Sequence, residues 1–319
     1  MARISSFLAV LILLIGCKTE TEINSEIRNI ELNFKVNRFE QKFYTASEID
    51  LPSIKKEYPF MFPKSENDTV WIQKMTNKDE QFLFQESERV FGDFNDTEKE
   101  LKLLFQHIKH RYSTFKIPKI ITHISDIDYQ YPVIYADSLL FIGLDMYLGK
   151  DNEVYNDFPK YLSQNYTKEH LIVDVSNEIN YRFYPQLKSR TFLDKMINQG
   201  KYLYLSDLNL PEVSDYLKIG YTKNKLEWAE QNEVDVWKYF IENELLFSND
   251  TKLNSRFIDV APFSKFYQQS DNDSPGRIGV WIGWQIVRSY MKNNDVTLQQ
   301  FMSTTPEDIF KKSKYKPRK

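Results

Sequence analysis

Cysteine is almost absent from this chain: the only one stands at position 17 of 319. No disulfide can therefore form within it, and any fold must be held by its core alone. Beyond the first sixteen residues no apolar run approaches the roughly 20 residues that a bilayer-spanning helix needs. Glycine is scarce too, 9 of 319 residues, against a usual fraction of about 7%. Charge of neither sign prevails, with 42 Lys and Arg against 45 Asp and Glu, which argues against nucleic acid as a partner. Internal repeats and low-complexity tracts are also missing. What the chain has in quantity is aromatic residues, 23 Phe and 20 Tyr, enough for a large, tightly packed globular core.

The N-terminus reads as an export signal. Arg3 supplies a positive start, Phe7 to Ile15 is unbroken apolar sequence, and the run ends at Leu14-Ile15-Gly16-Cys17. This ending resembles the lipobox of bacterial lipoproteins, which implies cleavage before Cys17, acylation of its thiol and attachment to a membrane. Acyl chains contribute about 0.8 kcal/mol per buried methylene, so two or more hold a protein there almost permanently. The expected organisation is a signal peptide at 1–16, a lipidated Cys17 with a polar, flexible tether to Arg28, and a single domain over 29–319. Lys18 after the cysteine fits outer-membrane delivery with the domain facing the periplasm. Glu20 and Glu22 resemble surface-export signals.

Periodicity gives a mixed set of elements. The alternation Ile30, Leu32, Phe34, Val36 predicts a strand, and short β-rich runs predict two more near Lys119–Ile124 and Ser138–Gly143. Tyr58 to Pro63, with two prolines, reads as an extended buried connection. Helices are expected over Thr97–Tyr112, with Thr97 and Glu100 as a capping box, and over Lys168–Tyr184, ended by Pro185. Others are expected around Asp235–Leu246, Pro275–Met291 and Pro306–Lys312. The fold class is α+β, helix-dominated in its second half.

Few constellations carry chemistry. His107 and His110 share a helix at a spacing that could hold a metal. Both fall off the Leu101/Leu104/Ile108 stripe, so they are expected on the solvated face; His123 and His170 are isolated. In the Lys168 helix, Val175, Ile179 and Phe183 are expected in the core. Asn177, Glu178 and Tyr181 then face away, at the positions where a zinc peptidase helix places His, Glu and His. An amide and a neutral phenol cannot replace two imidazoles, which leaves Glu178 alone. Near the C-terminus Ser274 is expected to cap and Pro275 to enter a helix whose Gly279 and Gly283 allow close backbone contact. Arg277, Trp281 and Trp284 beside them suit either helix packing or a groove wall. The basic tail from Lys311 to Lys319 is expected to be solvated.

The lipobox, the YPFMFP segment, NEINYRFYP, NQGKYLYLSDLNLP at 198–211, and SPGRIGVWIGWQIVRSYM followed by PEDIFKKSKYKP together resemble the GldB gliding-motility lipoproteins of Bacteroidetes. The resemblance covers essentially the whole mature chain. It implies an envelope component linked to the type IX secretion machinery, with other envelope proteins as partners and with no cofactor or small-molecule substrate. Such proteins are similar to zincin-type zinc peptidases, which implies a helix-rich zincin-like domain with a small mixed sheet. The third zinc ligand would fall at Gln199. With Asn177, Tyr181 and Gln199 all unsuited to zinc, the resemblance implies a pseudo-peptidase with no catalytic residue. The alternative is an envelope hydrolase with an unrecognised site.

Overall fold

A computed structural model of the chain describes residues 25–184 and 188–318. The first half holds a four-stranded mixed sheet of β1 (Val36–Arg38), β2 (Lys119–His123), β3 (Val133–Ala136) and β4 (Leu139–Gly143), in the spatial order β1-β2-β4-β3. β2 runs parallel to both β1 and β4, with Ile121 opposite Phe141, while β3 closes the edge antiparallel to β4. Both faces are covered. Ile120, Leu140 and Ile142 turn one way and Ile121 and Phe141 the other, as the two-residue period of a strand requires.

On the Ile121 face lie α1 (Phe39–Tyr44), α2 (Leu51–Glu57), α3 (Asp68–Thr76) and α4 (Lys78–Phe91). Their rings fill the space: Phe39, Phe43, Tyr58, Phe62 and Trp71 meet at centroid distances between 4.8 and 6.3 Å. On the Ile120 face lie α5 (Asn95–Arg111) and, after the short α6 (Lys160–Ser163), α7 (Lys168–Phe183). α8 (Phe192–Asn209) leads into a helical second half: α9 (Asp215–Ile219), α10 (Lys223–Gln231), α11 (Glu233–Glu242), α12 (Lys252–Phe257), α13 (Ile278–Asn293), α14 (Leu298–Ser303) and α15 (Pro306–Ser313). α13 is buried all round from Ile278 to Val287 and is the axis of this half. This is an α+β fold with a small mixed sheet. No helix among the described residues is long and apolar enough to cross a membrane.

Several expectations are corrected by packing. The Ile30 to Phe34 alternation survives as alternating exposure, but only Val36–Arg38 reaches a partner strand. Residues 25–28, expected as tether, form a helical turn: Ile27 is buried, and Gln106 Nε2 donates to the carbonyls of Arg28 and Ile30 at 2.8 and 2.9 Å. Tyr58–Phe62 contains a 3₁₀ turn at Pro59–Met61 and buries only its two ends.

α5 starts at Asn95 after Phe94 in the left-handed conformation, where Asp93 Oδ1 accepts from the Asn95 amide at 3.1 Å; Thr97 is buried inside the helix and caps nothing. α13 likewise starts at Ile278, past Pro275. Its Ile278 amide donates to Ser264 Oγ at 3.3 Å, while Ser274 Oγ accepts from the Ser264 amide at 3.0 Å.

Candidate functional site

Cys17 and Pro185 lie outside the described residues. The positions that the resemblance sets against a peptidase site lie on α7 and α8. α7 buries Leu171, Ile172, Val175 and Ile179 against the sheet and α5. Residues four apart on its other side, His170, Asp174 and Glu178, therefore form one stripe, with Tyr181 completing the next turn. Asp174 was not singled out by the sequence reading. Its Oδ2 accepts from the Tyr147 hydroxyl at 2.9 Å, and its Oδ1 lies 3.6 Å from His170 Nε2. Burial raises the Asp174 carboxyl above its usual range, against the pull of His170 and the Tyr147 hydrogen bond. Burial also raises Glu178, and the Asp174 charge adds to it. Phe183, expected in the core, is 41% exposed; it stacks 6.1 Å from Tyr112 at the end of the helix, where α7 runs past the sheet.

α8 runs antiparallel to α7 and meets it through Tyr202, Ser206 and Asn209. Ser206 Oγ donates to Asn177 Oδ1 at 3.3 Å, Asn209 Nδ2 donates to Asn180 Oδ1 at 2.9 Å, and the Tyr202 hydroxyl donates to the Tyr184 carbonyl at 2.5 Å. The rings of Tyr181 and Tyr202 lie 4.6 Å apart. Gln199, half-buried, sits one helical turn before Tyr202, which in the antiparallel pairing is beyond Tyr181. Burial raises the Tyr181 phenol, and the Arg277 charge opposes it.

This donor set does not fit a zinc ion. The Asn177 carboxamide oxygen is engaged by Ser206, Tyr181 carries a neutral phenol, and Gln199 has no charge; zinc requires thiolate, neutral imidazole or carboxylate. Among the described residues no three His, Cys, Asp or Glu side chains converge as a metal cluster would.

The C-terminal residues occupy a different place. Arg277 precedes α13 with φ 59° and donates from Nη1 to the Ile219 carbonyl at 3.1 Å. Trp281 and Trp284 are buried. Trp284 Nε1 donates to Asp207 Oδ2 at 2.9 Å, and the Arg288 guanidinium lies 3.7 Å from the Trp284 ring centroid while pairing with both Asp207 and Asp215. Lys218 joins the same carboxylates, so two cations face two anions. Glycine sets the approach: a Cβ on Gly283 would lie 1.9 Å from the Met196 carbonyl oxygen, one on Gly200 2.4 Å from the Gly283 carbonyl carbon, and one on Gly279 2.9 Å from the Phe257 carbonyl oxygen.

His107 is a correction. It is buried, and desolvation pulls its imidazole down to about 4. α5 is covered on a second side by the 25–30 segment and by α8, through Gln106 and through Arg111, whose Nη1 lies 3.4 Å from Asn209 Oδ1. His110 is exposed.

The family described as gliding motility protein GldB matches residues 20–317 of the chain. Neither a curated protein nor a solved structure matches it.

Proposed function

We propose, because this chain belongs to the GldB family of gliding motility proteins, that it serves the gliding machinery as a non-catalytic scaffold of the cell envelope. In this reading Cys17 carries the lipid that holds the domain at the membrane, at the periplasmic side of the outer membrane. Its partners are other envelope proteins of the gliding and type IX secretion apparatus. The α7–α8 pair is a zincin-like frame whose hydrolytic chemistry is gone.

One observation carries this reading. Asn177 stands at a would-be ligand position with a neutral carboxamide, and its Oδ1 faces Ser206 Oγ at 3.3 Å in the helix interface. Losing the whole ligand set removes on the order of 10 kcal/mol of metal affinity. Without a metal-bound water Glu178 has nothing to activate as a general base.

The test is a gliding strain whose wild-type copy is replaced by Glu178→Gln. Spreading of its colonies should match wild type. Loss of gliding with normal abundance and fold would sink the scaffold reading and return the chain to the hydrolases. Cys17→Ala, in a parallel strain, should leave an unprocessed or mislocalised precursor and stop gliding.

A further inference from the structure

Where α7 ends and α8 passes it, the molecule opens into a cleft of about 720 Å³, covered on one side by α14. This size is in the range of ligand pockets, about 300 to 1,000 Å³. Four rings line it, from Tyr112, Phe183, Tyr184 and Tyr202, with Leu298 and Met302 beside them. Two cationic side chains, Arg111 and Lys201, reach the same cleft, and among the described residues no carboxylate lines it.

The two cations differ from Arg288 and Lys218 in having no carboxylate partner among the described residues. Arg288 and Lys218 each meet Asp207 and Asp215. Lys201 is only 2% exposed, yet its Nζ is held by neutral groups, the carbonyls of Met302 at 3.2 Å and Thr304 at 2.7 Å, with the Phe301 ring centroid 5.6 Å away. Arg111 uses only Nη1, donating to the His107 carbonyl at 2.9 Å and lying 3.4 Å from Asn209 Oδ1. Its Nε and Nη2 have no partner among the described residues. Desolvation lowers Lys201 to about 8 and Arg111 to about 10, and no carboxylate offsets it at either group. A desolvated cation without a counter-ion is disfavoured, and an incoming anion relieves it. A free guanidinium edge matches a carboxylate in two parallel hydrogen bonds.

We propose that this cleft is a binding site for a carboxylate on an aromatic body, supplied by a peptide C-terminus whose last residue is aromatic. The tyrosine and phenylalanine rings take the terminal side chain edge-to-face or offset. The Arg111 edge takes the carboxylate. Thr297, Gln299 and Ser303 on the α14 side provide polar groups for the preceding main-chain amides. A fatty acid would use the charge but leave these polar groups unpaired. The inference goes beyond the scaffold reading, stands on the lining of the cleft alone, and holds whether or not α7 derives from a peptidase.

The experiment is fluorescence anisotropy on the full chain in detergent, with a fluorescein-labelled pentapeptide ending in phenylalanine. The free acid should bind saturably, and the same peptide amidated at its C-terminus should bind at least tenfold more weakly. Arg111→Gln should also lose tenfold or more. Because Arg111 touches two helices and its variant may not fold, Gln299→Glu serves beside it: this residue is exposed and unbonded, and a carboxylate there should weaken the free acid threefold or more while sparing the fold. Equal binding of acid and amide, no saturable binding, or an unchanged affinity in Gln299→Glu would each overturn the proposal. Palmitate binding that the peptide cannot displace would overturn the peptide as the source.

Discussion

On the sheet side, Phe39, Phe43, Tyr58, Phe62 and Trp71 meet ring against ring, while in the second half α8 and α13 touch backbone to backbone at Gly200 and Gly283. Short helices laid over a sheet leave wide gaps that only large side chains fill, and the chain supplies rings there. Two long helices carrying the principal core of the other half gain most by closing together, and the chain supplies the absence of a side chain. The two regions should therefore fail in opposite ways: the first by losing atoms, the second by gaining them.

The largest effect is expected from Gly283→Leu. Its Cβ alone would overlap the Met196 carbonyl, which is backbone and cannot swing aside. The helices must separate, so the cost should exceed the roughly 1 to 3 kcal/mol of ordinary overpacking and pass about 5 kcal/mol, an exceptional loss for one substitution. Denaturant unfolding should find the variant largely unfolded; an unchanged midpoint would mean that α8 and α13 do not touch there. Next comes Phe43→Ala, which removes a buried ring from the sheet-side cluster. It should cost about 3 to 5 kcal/mol with the fold retained. If this variant unfolded outright while Gly283→Leu survived, the comparison would be reversed.

A smaller effect separates charge from packing in the helical half. Lys201 titrates at about 8 in the folded chain and near 10.4 when unfolded. Between these values the unfolded chain binds the extra proton, so the Lys201 contribution to stability rises with pH from about 8 to 10.4. The stability of wild type relative to Lys201→Met should climb by up to about 3 kcal/mol across that interval. A flat difference would mean that the ammonium is solvated. Smallest of all is a gain of function on α7 and α8. Asn177→His, Tyr181→His and Gln199→Glu combined should acquire zinc, detectable by metal analysis after dialysis, while each single change should not. Failure of the triple variant to bind zinc, with its fold intact, would remove the zincin-like frame from the account.

Much of this architecture is legible in residue order, and the parts that are not have a common cause. β2 and β4 stand out as short apolar runs, Ile120-Ile121-Thr122 and Leu139 to Ile142, with turn residues beyond their ends. β3 does not, since as an edge strand it pairs only with β4 and keeps Ile134 40% exposed. His107 reads as solvated on a helical wheel because the wheel knows one buried face. α5 has two, and the second is made by residues 25–30, about eighty positions earlier, and by α8. Asp174 is hidden in residue order for a similar reason. Its spacing to Glu178 was available, but the Tyr147 hydroxyl that engages it comes from a different segment.

Residue order by itself determined the family, the α+β class, the main helices and the chemical unfitness of Asn177, Tyr181 and Gln199 for zinc. Those follow from side-chain identity and local periodicity, which need no partner. Tertiary structure alone decided that Asn177 is tied to Ser206, that Gly200 completes the glycine contact of α13, and that Arg111 and Lys201 reach one cleft without a carboxylate. Each of these depends on which distant helix comes alongside. Desolvation and pairing are properties of the assembled neighbourhood, not of any segment alone.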